Sequence, residues 1–326
     1  MNTREFTTAA PQRLNQAPAA KTIVLIYAGI LTAVAAFLSI LSHILGTRIG
    51  QAGGLGNMDL RSNLSSLQSM LPIIQTLITV VLALGYKAAM LRVARGQFVS
   101  PKTLKLGTER FFLLLRTYLL KAVIFISLAF VSVYAATSIF LLTPFSAPLM
   151  EALAPMMGGL NPQAPIDEAL ALELMPAMIP MLVIFALLYA LLAIPLALRY
   201  RMSDYVIIDK PGTGAFAALR ESRQMMKGNA MNLIKLDFRL WWYYAALALT
   251  NLLCYGDMIL PLLGISLPFS GEVSYYTFYV LYLVVQFAVT YFLCNRVEVS
   301  YCLAYESIRP QEQPSQGVAL GNIFHL

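Results

Sequence analysis

The chain has 326 residues, of which 59% are hydrophobic and only 12% charged, with a net charge of +7. Soluble domains carry about 25% charged residues, so a water-soluble globular organisation is excluded. The basic residues alternate with oily blocks instead of lining one face, which points to a membrane surface and away from nucleic acid.

Residues 1–21 are polar, contain Arg4, Arg13 and Lys21, and read as a cytoplasmic tail. The apolar run that follows, about 22–45, is longer than the 7–15-residue core of a signal peptide, so it reads as a retained first span. Five further blocks, at about 70–91, 121–143, 175–198, 240–262 and 274–295, reach the roughly 20 residues that cross a hydrocarbon core. Helix is the expected state, because a helix satisfies its own backbone hydrogen bonds in lipid. Alternating short strands of the barrel type do not occur in the sequence. The predicted fold is all-α and polytopic: one six-helix domain over 22–308, with a C-terminal tail at 309–326.

Lysine and arginine placement sets the orientation. Three lie in the first 21 residues, seven between Lys87 and Arg116, eight between Arg199 and Arg239, and two at Arg296 and Arg309. Twenty of the 23 basic residues therefore share one side; Arg48 and Arg61 lie opposite, and Lys121 sits at a span edge. The bias predicts both termini inside. "WWYY" at 241–244 and "YYTFY" at 275–279 stand where aromatic belts form, at span entrances.

Between the spans, the 50–66 stretch "GQAGGLGNMDLRSNLSS" reads as a flexible linker. The Pro- and Met-rich loop 144–173 reads as a re-entrant segment or a surface cap, with a lid role favoured over a partner-binding one. A weak echo joins "LALGYKAAMLR" (82–92) to "LALRYRMSDYV" (196–206), with Asn295–Arg296 at a similar place after the last span. It reads as a helical-hairpin repeat or as the ordinary anchoring of helix exits by Tyr and basic residues.

The search for chemistry begins at "DKPGTGAFAALRESRQMMKGN" (209–229). Gly212 and Gly214 do not have P-loop spacing, and no Lys-Ser/Thr follows them. The stretch instead reads as a turn and an amphipathic helix stopped by Gly228 and Asn229. Phe216, Leu219 and Met226 are expected on or near one face, with Arg220, Arg223 and Lys227 on another. Such a basic helix lies in the headgroup layer, so Arg220, Arg223, Lys227, Lys235, Arg239, Trp241 and Trp242 are candidate lipid contacts. Cys254, Cys294 and Cys302 make no C-x-x-C pair, no H-E-x-x-H or G-x-S-x-G occurs, and His43 reads as an interfacial histidine. No metal or cofactor is expected. Gln75, Asn251 and Gln286 are candidates for helix–helix bonding or, alternatively, for a polar path.

At "LRESRQMMKGNAMNLIKLDFRLWW" the sequence resembles a bacterial domain-of-unknown-function family of multi-pass membrane proteins. The matching positions are Asp209, Pro211, Ser222, Met226, Lys227, Gly228, Asn229, Leu236, Asp237 and Trp241, although Phe238 follows the aspartate more closely than the family spacing has it. "NTREFTTAA", "MLRVARGQ" and "YCLAYESI" are similar to it as well. The resemblance implies a six-span protein of a bacterial cytoplasmic membrane and brings with it no reaction, ligand or catalytic residue.

The leading expectation is a non-catalytic scaffold or accessory protein whose partners are anionic lipid headgroups and a second copy or another membrane protein. A permease or exporter for a lipid-like or peptide substrate is the alternative. A third reading is a headgroup enzyme using Asp204, Asp209 and Asp237.

Overall fold

A computed structural model describes residues 3–54, 57–147, 168–256, 259–260 and 271–309. The described residues are overwhelmingly helical and contain no strand. Among the described residues the α-helices follow in order: α1 Thr3–Gln16, α2 Pro18–Gly54, α3 Met58–Ala94, α4 Leu106–Glu109, α5 Phe111–Leu141, α6 Glu168–Tyr200, α7 Ser203–Asp209, α8 Ala215–Met226, α9 Ala230–Arg239, α10 Trp241–Cys254, α11 Gly271–Val289 and α12 Asn295–Ile308. A 3₁₀ turn (Pro101–Lys105) precedes α4, and a π segment (Thr290–Cys294) joins α11 to α12.

Among the described residues, five helices are long and apolar enough to cross a membrane; they are built on α2, α3, α5, α6 and the continuous α11–α12. Large apolar side chains such as Phe37, Ile73, Phe130, Leu191 and Val284 stand exposed along them, the surface expected where lipid replaces water. The expected fifth span, 240–262, is represented by α10, whose 14 residues are shorter than a crossing requires. Residues 257–258 and 261–262 of that segment lie outside the described residues, as do most of loop 144–173 and the tail beyond Arg309.

Contacts divide the chain into two units, Leu115–Arg201 and the remainder. In the first, Ser132 donates to the Leu128 carbonyl and the Lys121 ammonium lies 4.8 Å from the Tyr118 ring centre. Phe185 and Tyr189 stack on α6 at 5.8 Å.

In the second unit, α2 and α3 form an antiparallel pair. The 50–66 stretch is not a linker: α2 runs through it to Gly54 and α3 starts at Met58. Asn57 accepts from the Leu60 amide and caps α3, while Ser65, Ser66 and Ser69 fold their hydroxyls back onto helix carbonyls. Leu38, Leu45 and Leu71 close the pair, so packing overrides the local turn composition.

The segment after α3 folds back on it. A Cβ at Gly85 would run into the Leu104 carbonyl, and one at Gly107 into the Val81 carbonyl, so both glycines are required for the approach. Residues 3–16 form α1, which buries Ala10 and Leu14 and packs mainly against α12.

Candidate functional site

The charged ends of α3, α7 and α12 meet in a two-tier cluster inside the second unit. In the first tier Lys87 pairs with Asp204 at 2.6 Å, its ammonium 5.8 Å from the Tyr205 ring centre. The Tyr205 hydroxyl donates to Glu298 at 2.6 Å. In the second tier Arg95 donates to Asp209 and Glu306, each at 2.6 Å, and Arg309 reaches Asp209 at 3.0 Å and Glu306 at 3.3 Å. Tyr305 donates to Asp209 and stacks on Tyr205 at 5.3 Å, which couples the tiers.

The second tier holds two cations and two carboxylates, so it is electrically balanced. Burial works against the Arg95 charge, but hydrogen bonds to Asp209 and Glu306 outweigh it and hold the guanidinium pKa above its ordinary value. Arg110 donates to the carbonyls of Ile207 and Ile208 and so caps α7, placing a cation at the negative end of the helix. Of the two Tyr-plus-basic pairs in the echo, Lys87 of the first joins this cluster, one turn or more before α3 ends at Ala94, and its partner Asp204 lies on the short helix α7.

The 209–239 stretch divides into structural anchors and an exposed surface. Asp209 belongs to the ion cluster, and exposed Pro211 opens the turn in which Gly212 takes φ +104°. Lys210 pairs with Glu221 at 2.7 Å and ties that turn to α8. Ser222 is fully buried, Gly228 turns the chain at φ +87°, and the Asn229 side chain donates to the Met225 carbonyl. Asp237 accepts from Tyr301, which also bonds Tyr244 at 2.6 Å. Asp209 and Asp237 thus hold the two ends of the stretch to α12, through Tyr305 and Tyr301.

Around those anchors the basic residues face outward. Arg220, Arg223, Lys227, Lys235, Arg239 and Trp241 are exposed, and Trp242 is half-buried. None of these five cations forms an ion pair among the described residues. Leu219 and Met226 are buried, but Phe216 is 76% exposed. Phe216 therefore belongs to the basic face and not to the packed one. At 100° per residue, Phe216, Arg220, Arg223 and Lys227 share one stripe, and Met231, Lys235 and Phe238 form a second on α9.

Gln75 is exposed on α3, Gln286 is half-buried on α11, and Asn251 is exposed with its amide bonded to the Leu247 carbonyl of its own helix. No hydrogen bond joins these three to one another. Asp204, Asp209 and Asp237 each bond a different partner set. No group of three or more metal-type side chains occurs among the described residues.

A separate feature escaped the sequence reading. Ser39, Ser42, His43, Gly46 and Thr47 line a cleft of about 400 Å³, closed by Gln68 of α3 and Tyr275 of α11. Their spacing of i, i+3, i+4, i+7 and i+8 is the signal that could have found it.

Apolar helices of crossing length and a charged cluster at the helix ends define a membrane-embedded helical protein. The family described as protein of unknown function (DUF975) matches residues 1–312, and the chain belongs to it. Comparison with curated proteins and with solved structures gives no match.

Proposed function

We propose that this is a non-catalytic component of a bacterial cytoplasmic membrane, with six spans and both termini inside. It acts as a scaffold or accessory to a membrane process, and its α8–α9 pair lies in the headgroup layer on anionic lipid. The observation that carries the reading is the pair of stripes on adjacent helices, each mixing exposed cations with exposed large apolar side chains. That mixture suits the boundary between headgroups and acyl chains, where rings enter and guanidinium groups meet phosphates. Near an anionic surface each basic residue contributes about 1 kcal/mol, so Arg220, Arg223, Lys227, Lys235 and Arg239 together make a preference that salt weakens. Bonding of Asp204, Asp209 and Asp237 to separate structural partners supports a non-catalytic role for them.

The chain has two tryptophans, Trp241 and Trp242, placed beside these stripes. In mixed bilayers, brominated phosphatidylglycerol should quench Trp241 fluorescence of a Trp242→Phe protein more than brominated phosphatidylcholine does. The preference should shrink in high salt and in the Arg220→Glu/Arg223→Glu/Lys227→Glu variant. Equal quenching by the two lipids at low salt rejects the anionic-lipid contact.

A further inference from the structure

We infer that the cleft between α2, α3 and α11 is a binding site for a neutral, polyhydroxylated group, either the sugar headgroup of a lipid or a free saccharide. Its place in the fold argues first. Gln68 and Lys87 are 19 positions apart on α3, about 28 Å of helix, which is close to a hydrocarbon thickness. The cleft therefore sits at the end of this unit opposite the ion-paired cluster, at the depth where headgroups lie.

The lining chemistry argues second. Five successive face positions of α2 carry two serines, a histidine, a glycine and a threonine where an apolar stripe would otherwise pack on the neighbouring helix. The Gln68 amide donates to the backbone carbonyl and hydroxyl of Ser42, both at 3.3 Å, which leaves its oxygen as an acceptor. Thr47 donates to the Ile44 carbonyl, so its oxygen faces a ligand as an acceptor too. His43 meets Tyr276 edge-on at 5.3 Å, and neither of its ring nitrogens makes a hydrogen bond among the described residues. Among the described residues the lining contains no carboxylate, lysine or arginine. A charged ligand would lose hydration there without a fixed counter-charge, whereas hydroxyls that both donate and accept match this set. Tyr275, stacked on Tyr279 at 6.1 Å, adds an aromatic wall. The volume is in the range of small-molecule sites.

Gly46 supplies the test. A Cβ there would meet Gln68 Nε2 at an ordinary 3.6 Å, so a larger side chain enters the cleft and not the helix packing. Gly29 lies on the same helix with nothing within 4 Å and serves as the control. The full chain in phosphatidylcholine nanodiscs containing monoglucosyl-diacylglycerol is examined by native mass spectrometry for retained glycolipid. Saturation-transfer NMR with methyl β-glucoside is run on the same nanodiscs without glycolipid. Wild type and Gly29→Leu should retain the glycolipid, and Gly46→Leu should lose at least about 10-fold. Saturation transfer to the free glucoside that disappears in Gly46→Leu, without glycolipid retention, assigns the site to free saccharides. Should Gly46→Leu fail to fold, Gln68→Leu carries the comparison. Absence of both signals in wild type overturns the proposal. So do retention unchanged by the cleft variants, and phosphatidylglycerol held in the cleft as well as the glycolipid.

Discussion

Replacing Arg95 with methionine tests the ion cluster most directly. The change keeps the unbranched stem of the side chain, lacks the guanidinium beyond it, and removes hydrogen bonds of 2.6 Å to both Asp209 and Glu306. Loss of one partner of a fully buried pair costs about 3–5 kcal/mol. Here the side chains of Arg95, Asp209 and Glu306 are 22%, 14% and 23% exposed, and Arg309 still reaches both carboxylates. The expected cost is therefore lower, about 2–3 kcal/mol, which lowers the midpoint by roughly 5 °C or more. The discriminating measurement is a cycle with Asp209→Asn. The single Arg95→Met protein leaves two carboxylates sharing one arginine, whereas the double variant leaves a balanced Glu306–Arg309 pair. The double variant should thus be more stable than the two losses predict by about 1–2 kcal/mol. Thermal unfolding in nanodiscs, followed by fluorescence, reads all four proteins. Additivity within about 0.5 kcal/mol would refute the reading of the second tier as one charge-balanced unit.

The remaining predictions concern packing and the exposed stripes. Gly107→Ala drives a methyl group into the Val81 carbonyl and should destabilise by about 3 kcal/mol, whereas Gly29→Ala, with open space, should gain up to about 1 kcal/mol; paired thermal melts check the contrast. Tyr301→Phe removes the donor to Asp237 and should cost about 1.5–3 kcal/mol, with a midpoint equal to wild type as the contrary result. Ala10→Glu places a carboxylate on the buried face of α1 and should release that helix from α12, seen as faster tryptic cleavage after Arg13. Phe216→Ser and Phe238→Ser should each weaken the phosphatidylglycerol preference of Trp241 quenching while leaving the melting midpoint near wild type, because both rings are at least 75% exposed.

Much of the 209–239 stretch was legible as sequence because its signals are local. Gly212 and Gly228 take positive φ where turns were expected, and the cations Arg220, Arg223 and Lys227 share a face by helical period alone. Phe216 is expected on or near the face of Leu219 and Met226 because all three are apolar, but hydrophobicity does not distinguish protein from acyl chain as the covering material. The linker reading of 50–66 failed for a related reason. Glycine and serine there carry turn propensity, which the Asn57 cap and the leucine contacts of α2 with α3 overcome.

The ion cluster lay beyond sequence reasoning. Arg95 and Glu306 are 211 positions apart, and Asp237 and Tyr301 are 64 apart. Nothing in the spacing of either pair announces a partner. The polar stripe 39–47 was visible as residues but not as a cleft, because a cavity needs the facing walls that Gln68 and Tyr275 supply.

The sequence by itself determined that the chain is helical and apolar enough for a membrane, and which segments carry the basic charge. Both follow from composition and short-range period, since lipid admits few backbone states and lysine and arginine are costly within it. Tertiary structure alone decided which charges are consumed and which stay exposed. Asp204, Asp209, Glu306 and Asp237 became internal ties, while Arg220, Arg223 and Lys235 remained outward. The physical reason is that a charge acts through whatever lies within a few ångströms of it, and distant parts of the chain supply those neighbours.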